Sequence, residues 1–307
     1  DAWNNGTESI YVVMGYWLDS WNNDYSDPAT RESILSDWED YVSTYKDYDA
    51  VLMWAIGNED NLALASRGID PSDFYSLANE MARSAYEIEG GGYHPIVIIN
   101  GDVGNIGEAS GNADDDSLGY VDAWAMNTYP GASLTAKIND YATKSDKPLY
   151  ISEYGIDAYG DDIGAEHESV QATWNLNLWA DIVASDVTIG GTVMAYSDEW
   201  WKGGYDNSGK TGCPDTDASV HSLCGYPTDK HPDGYSNEEW WGVMRTVNNG
   251  TYPDIMQPRQ IYYDFQSEWA ENTAERTTDD SSDTGSGGGS GGGGDRKSTR
   301  LNSSHYS

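Results

Sequence analysis

The sequence predicts an α/β fold, a parallel sheet of the (β/α)8 TIM-barrel kind, on three observations. Short apolar runs alternate along the chain with amphipathic helical stretches. The runs are apolar at nearly every position rather than at every second one, the pattern of strands covered on both faces. Run after run then ends in polar or aromatic residues, at the strand ends where a barrel of this kind carries its chemistry.

Six strands are predicted in order: Ile10 to Trp17, the run from Ala50 ("AVLMWAIGNE"), the run from His94 ("HPIVIING"), the run from Val121 ("VDAWAMNTY"), the run from Pro148 ("PLYISEYG") and the run from Thr188 ("TIGGTVMAY"). Helices fill the gaps. Asp27-Pro28 reads as an N-cap followed by proline in the first turn, ahead of Ile34, Leu35, Trp38, Tyr41, Val42 and Tyr45 on one face. Asp70-Pro71 repeats the device before Leu77, Met81 and Tyr86, and a third helix places Val170, Trp174, Leu178 and Ile182 in register. A doubly wound nucleotide-binding sheet is the rival, but no glycine-rich phosphate loop follows any strand.

The 307 residues carry 52 acidic and 16 basic side chains, a formal net charge of −36. Nucleic acid and membrane surfaces are therefore not expected partners, since Lys and Arg lead binding to both, and no run is long enough for membrane insertion. The 13 Trp and 23 Tyr set the chain apart from disordered acidic sequences. Such acidity is expected of a protein from a high-salt environment, where screening removes its self-repulsion. Cys213 and Cys224, in a Gly/Asp/Pro-rich loop, are read as a disulfide of an extracellular, secreted protein. The barrel domain is expected to span residues 1–276, followed by a Gly/Ser/Asp-rich linker at 277–294 and a tail of unrelated composition at 295–307, read as non-native. The linker is expected to lead to a further domain, and an opening at "DAWNN" without Met is read as a start that is either missing or processed.

The strand ends form an inventory of polar groups: Tyr16, Trp17 and Asp19; Asn58 and Glu59; Asn100 and Asp102; Asn127 and Tyr129; Glu153 and Tyr154; then Tyr196, Asp198, Glu199, Trp200 and Trp201. A sheet needs no such ring for stability. Cleavage of a glycosidic bond does need one protonated carboxyl, one ionised carboxylate, and amides and aromatics to hold the sugar.

"WAIGNE", ending in Glu59, followed 94 residues later (153 − 59) by "PLYISEYG" around Glu153, resembles the retaining β-glycosidases of the large TIM-barrel clan, including family 2-type and β-glucanase-like barrels. That clan carries its acid/base Glu, preceded by Asn, at strand four and its nucleophile Glu at strand seven, and two predicted strands lie between the motifs here. The resemblance covers about residues 8 to 272 and implies a barrel whose first two strands are not in this chain. It implies Glu59 as general acid/base, Glu153 as nucleophile, Asn58 as holder of the sugar 2-hydroxyl and Tyr129 as hydrogen-bond partner of the nucleophile. Asn127 stands where many clan members carry His. Tyr16, Trp17, Tyr196, Glu199, Trp200 and Trp201 are the remaining substrate-binding residues, with Trp240 and Trp241 as further sugar platforms.

The expected function is retaining hydrolysis, or transglycosylation, of β-glycosidic bonds by a monomer that needs no cofactor and no metal. The alternative is a non-catalytic carbohydrate-binding or cell-surface module on the same scaffold. It makes no use of two juxtaposed carboxyls. His167, His221 and His231 show no ligand spacing and are read as surface residues, and "ADDDS" (Ala113 to Ser117) lacks the calcium-loop pattern.

The charge itself yields a prediction. The Debye length falls from about 10 Å at 0.1 M salt to about 3 Å at 1 M. The melting temperature is therefore expected to climb steeply over that range of NaCl or KCl; a flat profile would show that the acids are already spaced or paired well enough.

Overall fold

The computed structural model describes residues 10–199, 202, 226–250 and 253–280, with Tyr226 and residues 271–280 described by backbone alone. The elements in order are β1 (Val12–Tyr16), α1 (Pro28–Tyr45), β2 (Val51–Ile56), α2 (Asp60–Ser66), α3 (Ser72–Glu89), β3 (Ile96–Gly101), β4 (Ala123–Asn127), α4 (Thr135–Ala142), β5 (Leu149–Tyr154), the short pair β6 (Tyr159–Gly160) and β7 (Ala165–Glu166), α5 (Glu168–Ala184), β8 (Thr188–Val193), a second short pair β9 (Tyr226–Pro227) and β10 (Tyr235–Ser236), then β11 (Met244–Val247), β12 (Ile255–Pro258) and α6 (Gln260–Asp280). All six predicted strands form.

They make one sheet in the order β1-β2-β3-β4-β5-β8, parallel at every pairing. The order never reverses, so there is no switch point of the doubly wound kind. The result is a mixed α/β fold around a curled, parallel half-barrel sheet of six strands. Helix α6 continues to Asp280, four residues beyond the boundary expected at 276 (280 − 276).

Most of the core lies between the convex face of the sheet and the helices. Trp38 of α1, Trp54 of β2, Phe74, Tyr75, Leu77 and Met81 of α3, and Trp124 of β4 are all fully buried there. Buried indoles need a partner for their N–H: Trp38 Nε1 donates to the Met81 carbonyl at 2.7 Å and Trp54 Nε1 to Glu89 Oε1 at 2.9 Å. A smaller cluster covers the concave face: Met53, Ala55, Val97, Ala123 and Ala125. Alternation along each strand sends one set of side chains to each layer, which explains why these strands are apolar on both sides. Asp27 caps α1 as predicted, its Oδ2 accepting from Thr30 N at 3.0 Å and Thr30 Oγ1 at 2.8 Å. Asp70 does not cap α3: the N-cap is Pro71, and Asp70, one residue outside the helix, accepts from Ser72 N at 2.9 Å. In α5 the buried face is Gln171, Ala172, Asn175, Leu178, Trp179 and Ile182. Val170 and Trp174, predicted on that face, sit at its margin.

Candidate active site

Glu59 and Glu153 stand at the carboxyl ends of β2 and β5 and line one cavity of about 290 Å³, together with Tyr129, Met194, Lys202, Thr228, Lys230, His231, Glu238 and Trp241. The strand–turn–helix at Glu59 is tightly specified. Gly57 adopts φ 68° and Glu59 itself the left-handed φ 58°, a conformation that surrounding structure must impose on a glutamate. Asp60, the first residue of α2, imposes it: its Oδ2 accepts from Asn58 N at 2.9 Å, and a Cβ on Gly57 would collide with that oxygen. Ser20 Oγ, itself 2.8 Å from Tyr25 Oη, hydrogen-bonds the other oxygen of Asp60, tying the β1–α1 loop to the turn.

Burial pushes the Glu59 carboxyl above its ordinary pKa; the Asn127 amide and the Lys202 ammonium pull it down, and the charge of Glu153 adds to the rise. The environment thus favours a protonated Glu59 at higher pH than a free glutamate. On β5, Tyr129 Oη donates to Glu153 Oε2 at 2.6 Å, and burial with the neighbouring Glu153 charge holds the phenol well above its usual range. One carboxyl is held toward its acid form, and the other accepts a short hydrogen bond from a phenol that stays protonated. An amide chain links the two strands: Ser152 Oγ donates to Asn127 Oδ1 at 2.7 Å, and Asn127 Nδ2 donates to Asn58 Oδ1 at 3.0 Å.

Burial also pushes Asp60 up to about 6. A raised carboxyl pKa contributes stability below the unfolded value, near 4, and loses it as pH rises through the folded value. The native protein should therefore lose stability relative to an Asp60→Asn variant as pH goes from about 4 to about 7. Parallel melting curves for the two across that range would contradict it.

The remaining sequence-predicted residues divide. Tyr16 packs edge-on against Trp38 and Tyr41, with ring centroids 5.3 and 5.6 Å away, on the helix side of the sheet. Trp17 and Tyr196 are exposed, and neither lines the cavity. Glu199 reaches it through an ion pair with Lys202 at 3.0 Å. Trp241 lines the cavity, its ring edge-on to Tyr129 at 4.9 Å, whereas Trp240 packs against Tyr159 and beneath Arg259. Trp200, Trp201, Cys213, Cys224 and His221 lie outside the described residues. The "ADDDS" acids serve the loops: Asp114 accepts from Ser117 Oγ at 2.6 Å and Asp115 from Ser145 Oγ at 2.6 Å.

His231 corrects the sequence reading. It is buried, not on the surface, and its Nδ1 lies 2.9 Å from Asp157 Oδ2. Asp198, at the end of β8, is likewise no rim group: it is fully buried against Arg259, with the guanidinium on both carboxylate oxygens at 2.6 and 2.8 Å. That pair fixes the start of α6 beneath the segment carrying Trp241, because Arg259 also donates to the Gly242 carbonyl at 2.7 Å. Lys202, Thr228, Lys230 and Glu238 sit on segments without periodicity, where the sequence carries no signal of what they face.

No family model matches this sequence, and neither does any curated protein. Solved structures do match. A β-D-glucuronidase of Dictyoglomus thermophilum superposes with a TM-score of 0.51 at 16% identity, over 80% of this chain and 36% of that one. The β-glucuronidase of Faecalibacterium prausnitzii gives 0.50 at 17% identity over 84% and 37%. That of Bifidobacterium dentium, complexed with coumarin-3-O-glucuronide, gives 0.50 at 15% identity over 84% and 36%. This chain spans little more than a third of each of these enzymes. At such identities the likeness is one of fold: the half-barrel of this chain resembles part of the scaffold of known glycoside hydrolases.

Proposed function

We propose that this chain carries the catalytic centre of a retaining β-glycoside hydrolase on a (β/α)8 barrel, with Glu59 as general acid/base and Glu153 as nucleophile. The observation that carries the reading is the pairing of two carboxyls in one cavity, each with different partners. Burial favours the acid form of Glu59, while Glu153 accepts from the Tyr129 hydroxyl. A carboxyl held toward its acid form beside a second carboxyl lets one site supply both an acid and a nucleophile. Glu59 gives its proton to the leaving oxygen as Glu153 attacks the anomeric carbon; water, deprotonated by Glu59, then releases the sugar. Asn58, the residue before Glu59, whose Oδ1 accepts from Asn127 Nδ2, has the role of holding the hydroxyl next to the anomeric carbon in this reading, although neither amide is among the residues that line the cavity. Activity should fall as pH rises through the raised pKa of Glu59, because the ionised form cannot donate.

Two of the 16 basic residues line this cavity, Lys202 and Lys230. Ammonium groups lining a site in so acidic a chain, paired in this structure with Glu199 at 3.0 Å and Asp229 at 3.2 Å, fit a substrate sugar with a carboxylate of its own that exchanges for those partners, the class for which the neighbouring glucuronidases are named.

The test is mechanism-based trapping. A dinitrophenyl β-glycoside fluorinated next to the anomeric carbon should leave a stable sugar ester on the peptide containing Glu153, read by mass spectrometry. A glucuronyl reagent should label faster than its glucosyl counterpart. Label on another residue, or none with either reagent, would overturn the assignment.

A further inference from the structure

The cavity has a wall that the two-glutamate mechanism leaves unused. Asp157, four residues beyond Glu153 (157 − 153), is buried with its carboxylate fixed by two backbone donors: Tyr159 N to Oδ1 at 3.0 Å and Asn237 N to Oδ2 at 2.9 Å. Against Oδ2 lies Nδ1 of His231, at 2.9 Å, the two side chains 2% and 4% exposed. The imidazole packs on Trp241 at 5.5 Å between ring centroids, and Trp241 packs edge-on to the Tyr129 that holds Glu153. The ring is thus held by a carboxylate at Nδ1 and by an indole tilted 52° to it, and it lines the same cavity as Glu59 and Glu153.

Its chemistry follows from that clamp. A carboxylate at Nδ1 takes the Nδ1 proton as its donor, and in the neutral imidazole the lone pair is then on Nε2. An imidazole acceptor whose rotamer is locked is a reader of O–H groups. Sugar hydroxyls are the O–H donors that a β-glycoside brings into such a cavity. We propose that Asp157 and His231 form a substrate-reading dyad: His231 Nε2 accepts a hydrogen bond from one hydroxyl of the sugar held between Glu59 and Glu153, and Asp157 sets the tautomer and angle of the ring that does so. This rests on the two-glutamate reading and adds a specificity-determining residue, His231, with Asp157 as its positioning partner.

The experiment compares kcat/KM for an aryl β-glycoside and its set of monodeoxy analogues, in the native protein and in His231→Ala. In the native protein, one analogue should lose roughly 10- to 100-fold, because a site built to bond a hydroxyl rejects the sugar lacking it. His231→Ala should lose a similar factor on the parent sugar and show no further loss on that one analogue, while discrimination against the others is unchanged. Asp157→Asn should weaken discrimination at the same hydroxyl only. Uniform losses across the whole set would overturn the dyad and leave His231 as packing. If His231→Ala does not fold, His231→Gln keeps an acceptor and should retain part of the discrimination; a Gln variant with full discrimination against every analogue would equally overturn it. Trapping on Glu153 separates the two levels: an adduct with uniform losses sinks the dyad alone, whereas no adduct in the native protein sinks the two-glutamate reading and the dyad with it.

Discussion

Replacing Glu153 by glutamine should abolish turnover, with kcat reduced by roughly a millionfold, the scale seen when a covalent nucleophile is removed. The amide cannot form the glycosyl ester, and Tyr129 Oη, now 2.6 Å from the Glu153 carboxylate, would be left facing a neutral group. Glu59→Gln should behave differently. Substrates with poor leaving groups lose the proton they need, by about 10²- to 10⁴-fold. Activated aryl glycosides need no such proton, so the first step should survive and the sugar ester should accumulate. Steady-state and burst kinetics on a pair of substrates with good and poor leaving groups check both roles. Equal and mild losses for the two variants would refute them.

Replacing Arg259 by methionine should cost about 3–5 kcal/mol, because it strands a buried carboxylate. Asp198 and Arg259 have side chains with 0% exposure, joined by two hydrogen bonds. Without the guanidinium, Asp198 loses both of these charge-assisted bonds, while Gly242 N at 3.1 Å and Thr246 N at 3.4 Å still donate to it. The melting temperature should fall by roughly 10 °C in a chain of this size. Removing both charges, as Asp198→Leu with Arg259→Met, should recover part of the loss: the stranded charge is gone, but the Gly242 and Thr246 N–H groups lose their acceptor and Glu166 loses its 3.0 Å bond from Arg259 Nε. Calorimetry of the single and double variants measures the difference; a double variant no better than the single one would show that the pair's geometry, rather than the stranded charge, carries the stability.

The strands were legible because burial on both faces leaves a plain mark: an apolar run with a polar end. Glu59 and Glu153 were legible for the same reason, since each is the polar end of such a run, and the cavity contains both. Position at a strand end does not fix which way a side chain faces, and Tyr16 shows this. Alternation places it with Met14 on the helix side, where Trp38 and Tyr41 receive it. Asp198 differs from its expected place at the rim on the same ground, as its partner Arg259 lies 61 residues on (259 − 198) and no local pattern announces it. His231, Lys202 and Lys230 come from segments after β8 with neither period, so nothing in the sequence tied them to Glu59. For His231 the missing signal was its partner: Asp157 is 74 residues away in the chain (231 − 157) and 2.9 Å away in space. Long-range pairs of this kind are properties of the fold, made only when the loops close.

The most direct test of the central claim is the stereochemistry of the first product. Proton NMR of a β-glycoside during early turnover, before mutarotation, reads the anomeric configuration of the sugar as it is released. Two successive displacements, first by Glu153 and then by water, predict that the β anomer appears first and the α anomer only later. An α anomer formed first would mean a single displacement by water, with the two carboxyls set roughly 6.5–9.5 Å apart instead of roughly 5–5.5 Å, and would contradict Glu153 as a nucleophile.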